Sequence, residues 1–205
     1  MIDNIKQDMW NWITDYVESN HKFYDYKFPP CPYAKAARLK GLVDIAIYDS
    51  GGVRDFILEQ TDNLINEKKY NVRILVFPAK VNWYFFIKQF INTLNKKLVA
   101  MDYYTQYGTA LKTKSRYPGL FENGPYFIVI INKLSDVIAG HESLLSTNYY
   151  NSWAQSHYDS VVTRRQEFYQ KYSNVSKQIY AKAVSKIRTR KKIKQMRDDD
   201  PYIYK

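Results

Sequence analysis

Apolar residues recur at helical spacing in some parts of the chain and form short continuous runs in others. In residues 5–17 they return every three or four positions, which is typical of an amphipathic helix, and Asp3 is expected to cap its start. Residues 72–77 and 126–131 are apolar runs of strand length. Residues 83–94 again have helical spacing, so the sequence predicts strands that alternate with helices.

Weaker patterns occupy the intervals between these segments. Residues 31–41 predict a short helix, with a proline in its first turn and a glycine at its end. Residues 42–48 alternate as a strand does, and residues 98–104 predict a further strand. Another helix is expected to begin at residues 50–52.

This order of elements predicts an α/β or α+β fold, with a mixed sheet of about four strands covered by helices. We expect residues 1–172 to form this single domain and residues 173–205 to form a basic helical C-terminal extension. Residues 112–125 are rich in glycine and proline, which indicates a polar loop. The residues that carry helical spacing toward the extension are Tyr158, Val161, Val162, Arg165, Phe168, Tyr169 and Tyr172.

Positive charge is concentrated in the C-terminal extension. The chain has 31 Lys and Arg against 20 Asp and Glu, a net charge of +11. Residues 168–197 hold ten basic residues and no acid. The three aspartates that follow and Lys205 together contribute −2, so +8 of the +11 lies beyond residue 167. Such a segment favours nucleic acid or an acidic protein surface as partner, and the alternative is a solvated helix face. The cations expected to contact phosphate are Lys182, Lys186, Arg188, Arg190, Lys191, Lys192, Lys194 and Arg197.

The sequence carries no signal for export or membrane insertion. It has no apolar run of about 18 residues, and its first residues lack a basic and then apolar signal region. Cys31 is the single cysteine, so it cannot form an internal disulfide. We therefore expect a cytoplasmic protein without a membrane partner.

Cys31 is the main candidate for a reactive side chain. At a helix N-terminus, the backbone N–H groups and the helix dipole stabilise a thiolate. Lys35 and Arg38 follow one and two turns later, and they are expected to bind an anion and to lower the pKa of Cys31 further. Cys31 is thus predicted as a catalytic nucleophile, and the alternatives are a buried structural cysteine or a metal ligand.

Two further segments are predicted to bind anions. Ser50 and Gly51 lie between a predicted strand and a predicted helix, where free N–H groups can hold a phosphate. The full Gly-x-Gly-x-x-Gly spacing is missing, so an ordinary cap and turn is the alternative. Arg116, with Lys112 and Lys114, forms the second segment, for which the alternative is solvated loop charge.

The histidines do not form a recognised metal motif. His141 and His157, with Glu142 and Asp159, have metal-ligating side chains at a spacing that fits no known ligand pattern. His141 follows Gly140, which predicts a turn at this point. We expect neither a metal nor a cofactor.

The segment Cys31-Pro32-Tyr33-Ala34 resembles the glutaredoxin motif Cys-Pro-Tyr-Cys, with Ala34 in place of the second cysteine. A thioredoxin-type fold requires a strand directly before the cysteine, and Lys27-Phe28-Pro29-Pro30 does not have a strand pattern. It also requires a proline before a later strand, facing the thiol, and no segment supplies one. The surroundings therefore disfavour this resemblance.

The same segment is more similar to an uncharacterised bacterial family of domains, in which a Leu-Cys-Pro-Phe-Ala motif follows one helix. Val76-Phe77-Pro78 resembles the strand of that family that ends in proline, and Ser115-Arg116-Tyr117-Pro118 resembles its Asn-Arg-Ser-Pro-Tyr-Pro loop. The resemblance covers residues 5–120. Met101-Asp102-Tyr103 stands where the family has Phe-His-Pro. The family has no settled activity, so the resemblance implies no function.

Three functions remain open from the sequence. The first is a ligand-binding or thiol-dependent enzyme domain centred on the Cys31 loop. The second is a nucleic-acid-associated protein that binds through the basic extension. The third is a structural or assembly protein that docks on a partner.

Overall fold

Four strands form one mixed sheet in the computed structural model, which describes residues 2–78, 84–108, 126–172 and 189. The strands are β1 (Val43–Ile47), β2 (Val72–Pro78), β3 (Tyr103–Gly108) and β4 (Tyr126–Lys133), in the spatial order β1-β2-β4-β3. β1 runs parallel to β2, and β4 runs antiparallel to both β2 and β3. The predicted mixed four-stranded sheet is confirmed. The predicted basic extension, residues 173–205, lies outside the described residues except for Thr189.

Helices surround this sheet. They are α1 (Ile2–Trp12), α2 (Ala34–Leu39), α3 (Val53–Glu67), α4 (Tyr84–Leu98), α5 (Leu134–Leu145), α6 (Gln155–Tyr158) and α7 (Arg164–Tyr172). Two π-helical turns, Ile13–Val17 and Asp159–Thr163, continue α1 and connect α6 to α7, and two 3-10 turns lie at Lys22–Tyr24 and Val99–Met101. Of the described helices, none has both the length and the apolar character that a membrane crossing needs.

The two central strands are apolar on both faces because helices cover both sides of the sheet. Leu75 and Phe77 of β2 point to one face, where they pack with α3 and α4. Ile74 and Val76 alternate to the opposite face, where they pack with α1. The first core contains Val53, Ile57, Leu64, Leu75, Phe77, Ile91, Leu94, Leu98, Val129 and Ile131. The second core contains Ile5, Met9, Ile13, Ile45, Ile74, Val76, Ile128 and Ile130.

The predicted packing of helix α4 on the sheet is confirmed where its side chains are described. Leu94 is buried, and the half-buried Phe90 packs against the first core. Trp83 and the side chain of Phe86 lie outside the described part of the chain.

The strand predicted over residues 98–104 is wrong in its first half. Residues 98–101 complete α4 and the following 3-10 turn, where Leu98 and Val99 are buried. Asp102 then takes a left-handed conformation, with φ of 64°, and β3 begins at the next residue. The carboxylate of Asp102 accepts hydrogen bonds from the N–H and Oγ of Ser135, at 2.8 and 2.6 Å, so this turn also fixes the start of α5.

Two local predictions are also corrected. Helix α1 already begins at Ile2, so Asp3 lies in its first turn and does not cap it. Gly140 and His141 lie inside α5 and do not form a turn. The glycine is explained by packing: a Cβ at this position would lie 2.9 Å from Cε2 of Tyr33, whose ring lies against the helix.

Candidate functional site

Cys31 lies in a turn between the first π-helical turn and α2. Its N–H donates to the carbonyl oxygen of Val17 at 3.1 Å, and its own carbonyl accepts from the N–H of Ala34 at 3.2 Å. Because that bond closes a turn ahead of the helix, α2 begins at Ala34 and its N-cap is Tyr33. The prediction that Cys31 caps this helix is therefore wrong. The residue is partly exposed, as expected.

Burial raises the pKa of the Cys31 thiol, against the predicted direction. The N–H groups of Tyr33 and Ala34 and the charge of Arg165 all lower this pKa, but the loss of hydration outweighs them. A thiol with a raised pKa stays protonated near neutral pH and is a weak nucleophile. Lys35 is exposed, and the cation that lowers the thiol pKa is Arg165.

Arg38 is bound to a carboxylate of the first helical segment. Its Nε and Nη2 donate to the two carboxylate oxygens of Glu18, each at 2.8 Å, and the Glu18 side chain is only 4% exposed. The hydrogen bond with Glu18 raises the pKa of Arg38. This pair joins α2 to the end of the first π-helical turn, so it holds the Cys31 turn in place from both sides.

Ser50 and Gly51 lie between β1 and α3, as predicted, in an arrangement that favours an ordinary turn. Gly51 has φ of 95°, and its carbonyl accepts the hydroxyl of Tyr48 at 2.5 Å. A Cβ on Gly52 would lie 2.9 Å from Oδ2 of Asp55, so a carboxylate already lies against the start of α3. An added anion would be repelled by it.

The remaining predicted sites lie outside the described residues. This applies to Arg116 in the loop at residues 112–125. It applies equally to the phosphate-contacting cations predicted in the extension, which are Lys182, Lys186, Arg188, Arg190, Lys191, Lys192, Lys194 and Arg197.

Arg165 is a cation near Cys31 that the sequence patterns did not identify as functional. It lies in the first turn of α7, and its Cζ is 5.7 Å from the ring centre of Tyr104. Its Nε is buried and has no hydrogen-bond partner in the described part of the chain. Burial lowers the pKa of Arg165, while Tyr104, Tyr150 and Cys31 act in the opposite direction.

Arg73 shows how this fold satisfies a buried arginine when the role is structural. Its Nε and Nη2 lie 2.8 Å from carboxylate oxygens of Asp44 and Glu67, and its Nη1 donates to the carbonyl of Gln60 at 3.1 Å. Nε of Arg165 has no such acceptor, and no ion pair joins Arg165 to a carboxylate within residues 2–78, 84–108 and 126–172. A buried donor without an acceptor is costly, so this difference marks Arg165 as unusual.

His141 is held between two phenols beside this arginine. Its Nδ1 is 2.9 Å from the hydroxyl of Tyr150, and its Nε2 is 3.3 Å from the hydroxyl of Tyr158. The residue is 6% exposed, and burial together with the charge of Arg165 lowers its pKa, so the imidazole is neutral near pH 7. Both ring nitrogens are thus engaged, and no group of three His, Cys, Asp or Glu in the described ranges could hold a metal.

An aromatic cluster contacts this histidine through Tyr150. Tyr24 and Tyr149 stack with ring centres 4.6 Å apart, and the hydroxyl of Tyr149 donates to the carbonyl of Pro30 at 2.7 Å. Burial raises the pKa of Tyr149, and it raises that of Tyr150 to about 12, so these phenols stay protonated. The members of the aromatic cluster are Phe23, Tyr24, Phe28, Tyr149, Tyr150 and Trp153, and Leu144 packs with them.

Tyr33 connects the Cys31 turn to α5. Its hydroxyl donates to the carbonyl of Gly140 at 2.8 Å and also forms a hydrogen bond with Oγ of Ser143. The turn is thus held by α5 as well as by the Glu18–Arg38 pair. We call the group formed by Cys31, Tyr104, His141, Tyr150 and Arg165 the Arg165 site.

Both π-helical turns lie next to the Arg165 site. The first supplies the Val17 carbonyl that binds the N–H of Cys31. The second, Asp159–Thr163, runs directly into Arg164 and Arg165. Single π-helical turns are rare and are found frequently at functional sites, so their positions support a function for this part of the molecule.

Comparison with protein-family models, curated proteins and solved structures finds no match to this chain.

Proposed function

We propose that this chain binds a small anionic ligand at the Arg165 site. The observation that supports this proposal is the guanidinium of Arg165, whose buried Nε has no acceptor among the described residues. A guanidinium presents five donors in a planar fork that matches a carboxylate or a phosphate. A bound anion would supply an acceptor for this Nε and a negative charge beside the guanidinium.

The other four side chains of the Arg165 site are uncharged near pH 7, which suits them to binding an anion. His141 has a lowered pKa and Tyr150 a raised one, so both remain uncharged hydrogen-bonding groups near pH 7. Glu18, whose charge acts on Cys31, is already paired with Arg38. The raised pKa of the Cys31 thiol favours ligand binding over thiol-dependent catalysis.

Calorimetric titration of the full chain with sodium benzoate and with sodium sulfate tests this proposal. We expect at least one of the two anions to bind, and Arg165→Met to abolish the binding. Arg164→Met is the matched control, since Arg164 is the preceding residue, is exposed and donates to Asn92 at 3.0 Å. The proposal is wrong if neither anion binds, or if the two variants weaken binding equally.

A second proposal rests on the charge of the C-terminal extension, whose residues 173–205 carry +7 of the net +11. We propose that it contacts nucleic-acid phosphates, through the cations named above. Truncation after Ser176 should then remove affinity for a duplex oligonucleotide, and the affinity of the full chain should fall steeply with salt because counterions are released. Unchanged binding after truncation would contradict this second proposal.

A further inference from the structure

We infer that the ligand of the Arg165 site is a singly charged carboxylate and not a doubly charged phosphate or sulfate. This inference rests on the proposed function and specifies its ligand. It follows from the charge of the site, from its backbone and from the hydrogen bonds of His141.

Among the residues that the structure describes, the site offers one positive charge. The positive charge of Arg165 lowers the pKa values of Cys31, His141 and Tyr150. The charge of Arg164 lowers the pKa of Tyr104, but Arg164 is exposed and its Nη2 donates to Asn92. A dianion in this partly buried place would retain an uncompensated negative charge and lose more hydration than a monoanion.

The backbone near Arg165 does not provide a phosphate cradle. Phosphates are commonly bound by the free N–H groups at the start of a helix. Arg165, however, lies in the interior of a continuous helical segment, since Gln155–Tyr158, Asp159–Thr163 and Arg164–Tyr172 follow one another without a break. The N–H groups beside Arg165 are therefore used within the helix, and recognition falls to side chains.

One phenol proton of the His141 pair remains for the ligand. A neutral imidazole has one N–H donor and one acceptor nitrogen. With both nitrogens next to a phenol, one phenol donates to the ring and the other accepts from it. The hydroxyl of the accepting phenol, Tyr150 or Tyr158 according to the tautomer, can still donate its own proton. In the inferred complex, that hydroxyl donates to one oxygen of the carboxylate and the guanidinium of Arg165 donates to the other.

Calorimetry with sodium acetate, sodium benzoate and sodium sulfate at equal ionic strength tests this inference. We expect both carboxylates to bind at least about tenfold more tightly than sulfate. Arg165→Lys keeps the charge but removes the planar fork, and it should weaken carboxylate binding. Of Tyr150→Phe and Tyr158→Phe, one should weaken it and the other should leave it nearly unchanged.

The possible failures are distinguishable. If sulfate binds as tightly as the carboxylates or more tightly, and Arg165→Met abolishes that binding, the choice of a monoanion is wrong while the proposed function stands. If both phenylalanine variants bind carboxylates normally, the phenol is not a donor to the ligand and the inference is wrong. If none of the three anions binds, the proposed function itself is wrong. Circular dichroism of each variant confirms that it is folded.

Discussion

The side-chain amide of Asn95 pairs with both backbone groups of Thr105. Nδ2 of Asn95 donates to the carbonyl of Thr105 at 2.9 Å, and Oδ1 accepts from its N–H at 2.7 Å. β3, which contains Thr105, is the last strand on its side of the described sheet. The amide therefore takes the place of a neighbouring strand, and both residues are almost completely buried.

Asn95→Leu should destabilise the fold, because it leaves the N–H and the carbonyl of Thr105 buried without partners. Each unsatisfied group costs about 1–3 kcal/mol, so we expect the free energy of unfolding to fall by about 2–6 kcal/mol. Urea denaturation measures this change. Thr93→Leu, at an exposed position of the same helix, is the control and should change it by less than about 0.5 kcal/mol. Equal effects of the two variants would contradict the assigned role of Asn95.

Phe77 should contribute more to stability than Phe90. Phe77 is 1% exposed in the first core, whereas Phe90 is half-buried at its border. Phe77→Ala is expected to cost about 3–5 kcal/mol, the usual range for a fully buried phenylalanine. Phe90→Ala should cost less, since part of its ring is already in water. Equilibrium unfolding of the two variants compares them, and a larger loss for Phe90 would show that the border of the core is misassigned.

Cys31 should react slowly with alkylating reagents near neutral pH. Burial raises its thiol pKa, so the apparent pKa of the alkylation rate should lie above the free value of about 8.5. Arg165→Met should raise it further, since the positive charge of Arg165 lowers it. The rate of iodoacetamide labelling against pH, with Cys31→Ser as the blank, measures both effects. An apparent pKa below the free value would restore Cys31 as a candidate nucleophile.

Stability should fall as the pH decreases through the range in which histidine titrates. The pKa values of His141 and His157 are both lowered from the ordinary 6.5 by burial, so below that value the unfolded chain binds more protons than the folded one. Urea midpoints between about pH 8 and pH 5 should show this loss. His141→Gln should make the pH dependence shallower, even if the variant is less stable throughout. An unchanged pH dependence would mean that His141 is not neutral in the folded state.

Much of the fold could be predicted from local patterns, because β2 and β4 are continuous apolar runs and α1 and α4 have clear helical spacing. Helix α5 could not be predicted, because a glycine at position 140 indicates a turn when only its neighbours in the sequence are considered. Its actual role is to make room for the ring of Tyr33, which lies more than a hundred residues earlier in the chain. Local periodicity carries no information on such contacts between distant segments.

The Arg165 site was missed for the same reason. Arg165 shares the helical spacing of Val161, Val162 and Phe168, and an arginine among apolar and aromatic positions was the available signal. Its neighbours Cys31, Tyr104 and Tyr150 come from three other segments of the chain. Their proximity depends on how those segments pack, which no spacing along the sequence encodes.

Arg73 and Arg165 should respond differently when each is replaced by methionine in the absence of ligand. Arg73→Met removes hydrogen bonds to Asp44, Glu67 and the carbonyl of Gln60, so we expect a loss of about 1–3 kcal/mol in the free energy of unfolding.

Arg165→Met removes a charge without a hydrogen-bonded partner among the described residues, together with one contact to the Tyr104 ring. That contact is worth about 0.5–2 kcal/mol, while the removal of a buried donor without an acceptor acts in the other direction. The free energy of unfolding of Arg165→Met should therefore equal or exceed that of the unmodified chain in urea denaturation. If Arg165→Met is destabilised as much as Arg73→Met, Arg165 stabilises the fold without a ligand, which would contradict its proposed role in binding an anion.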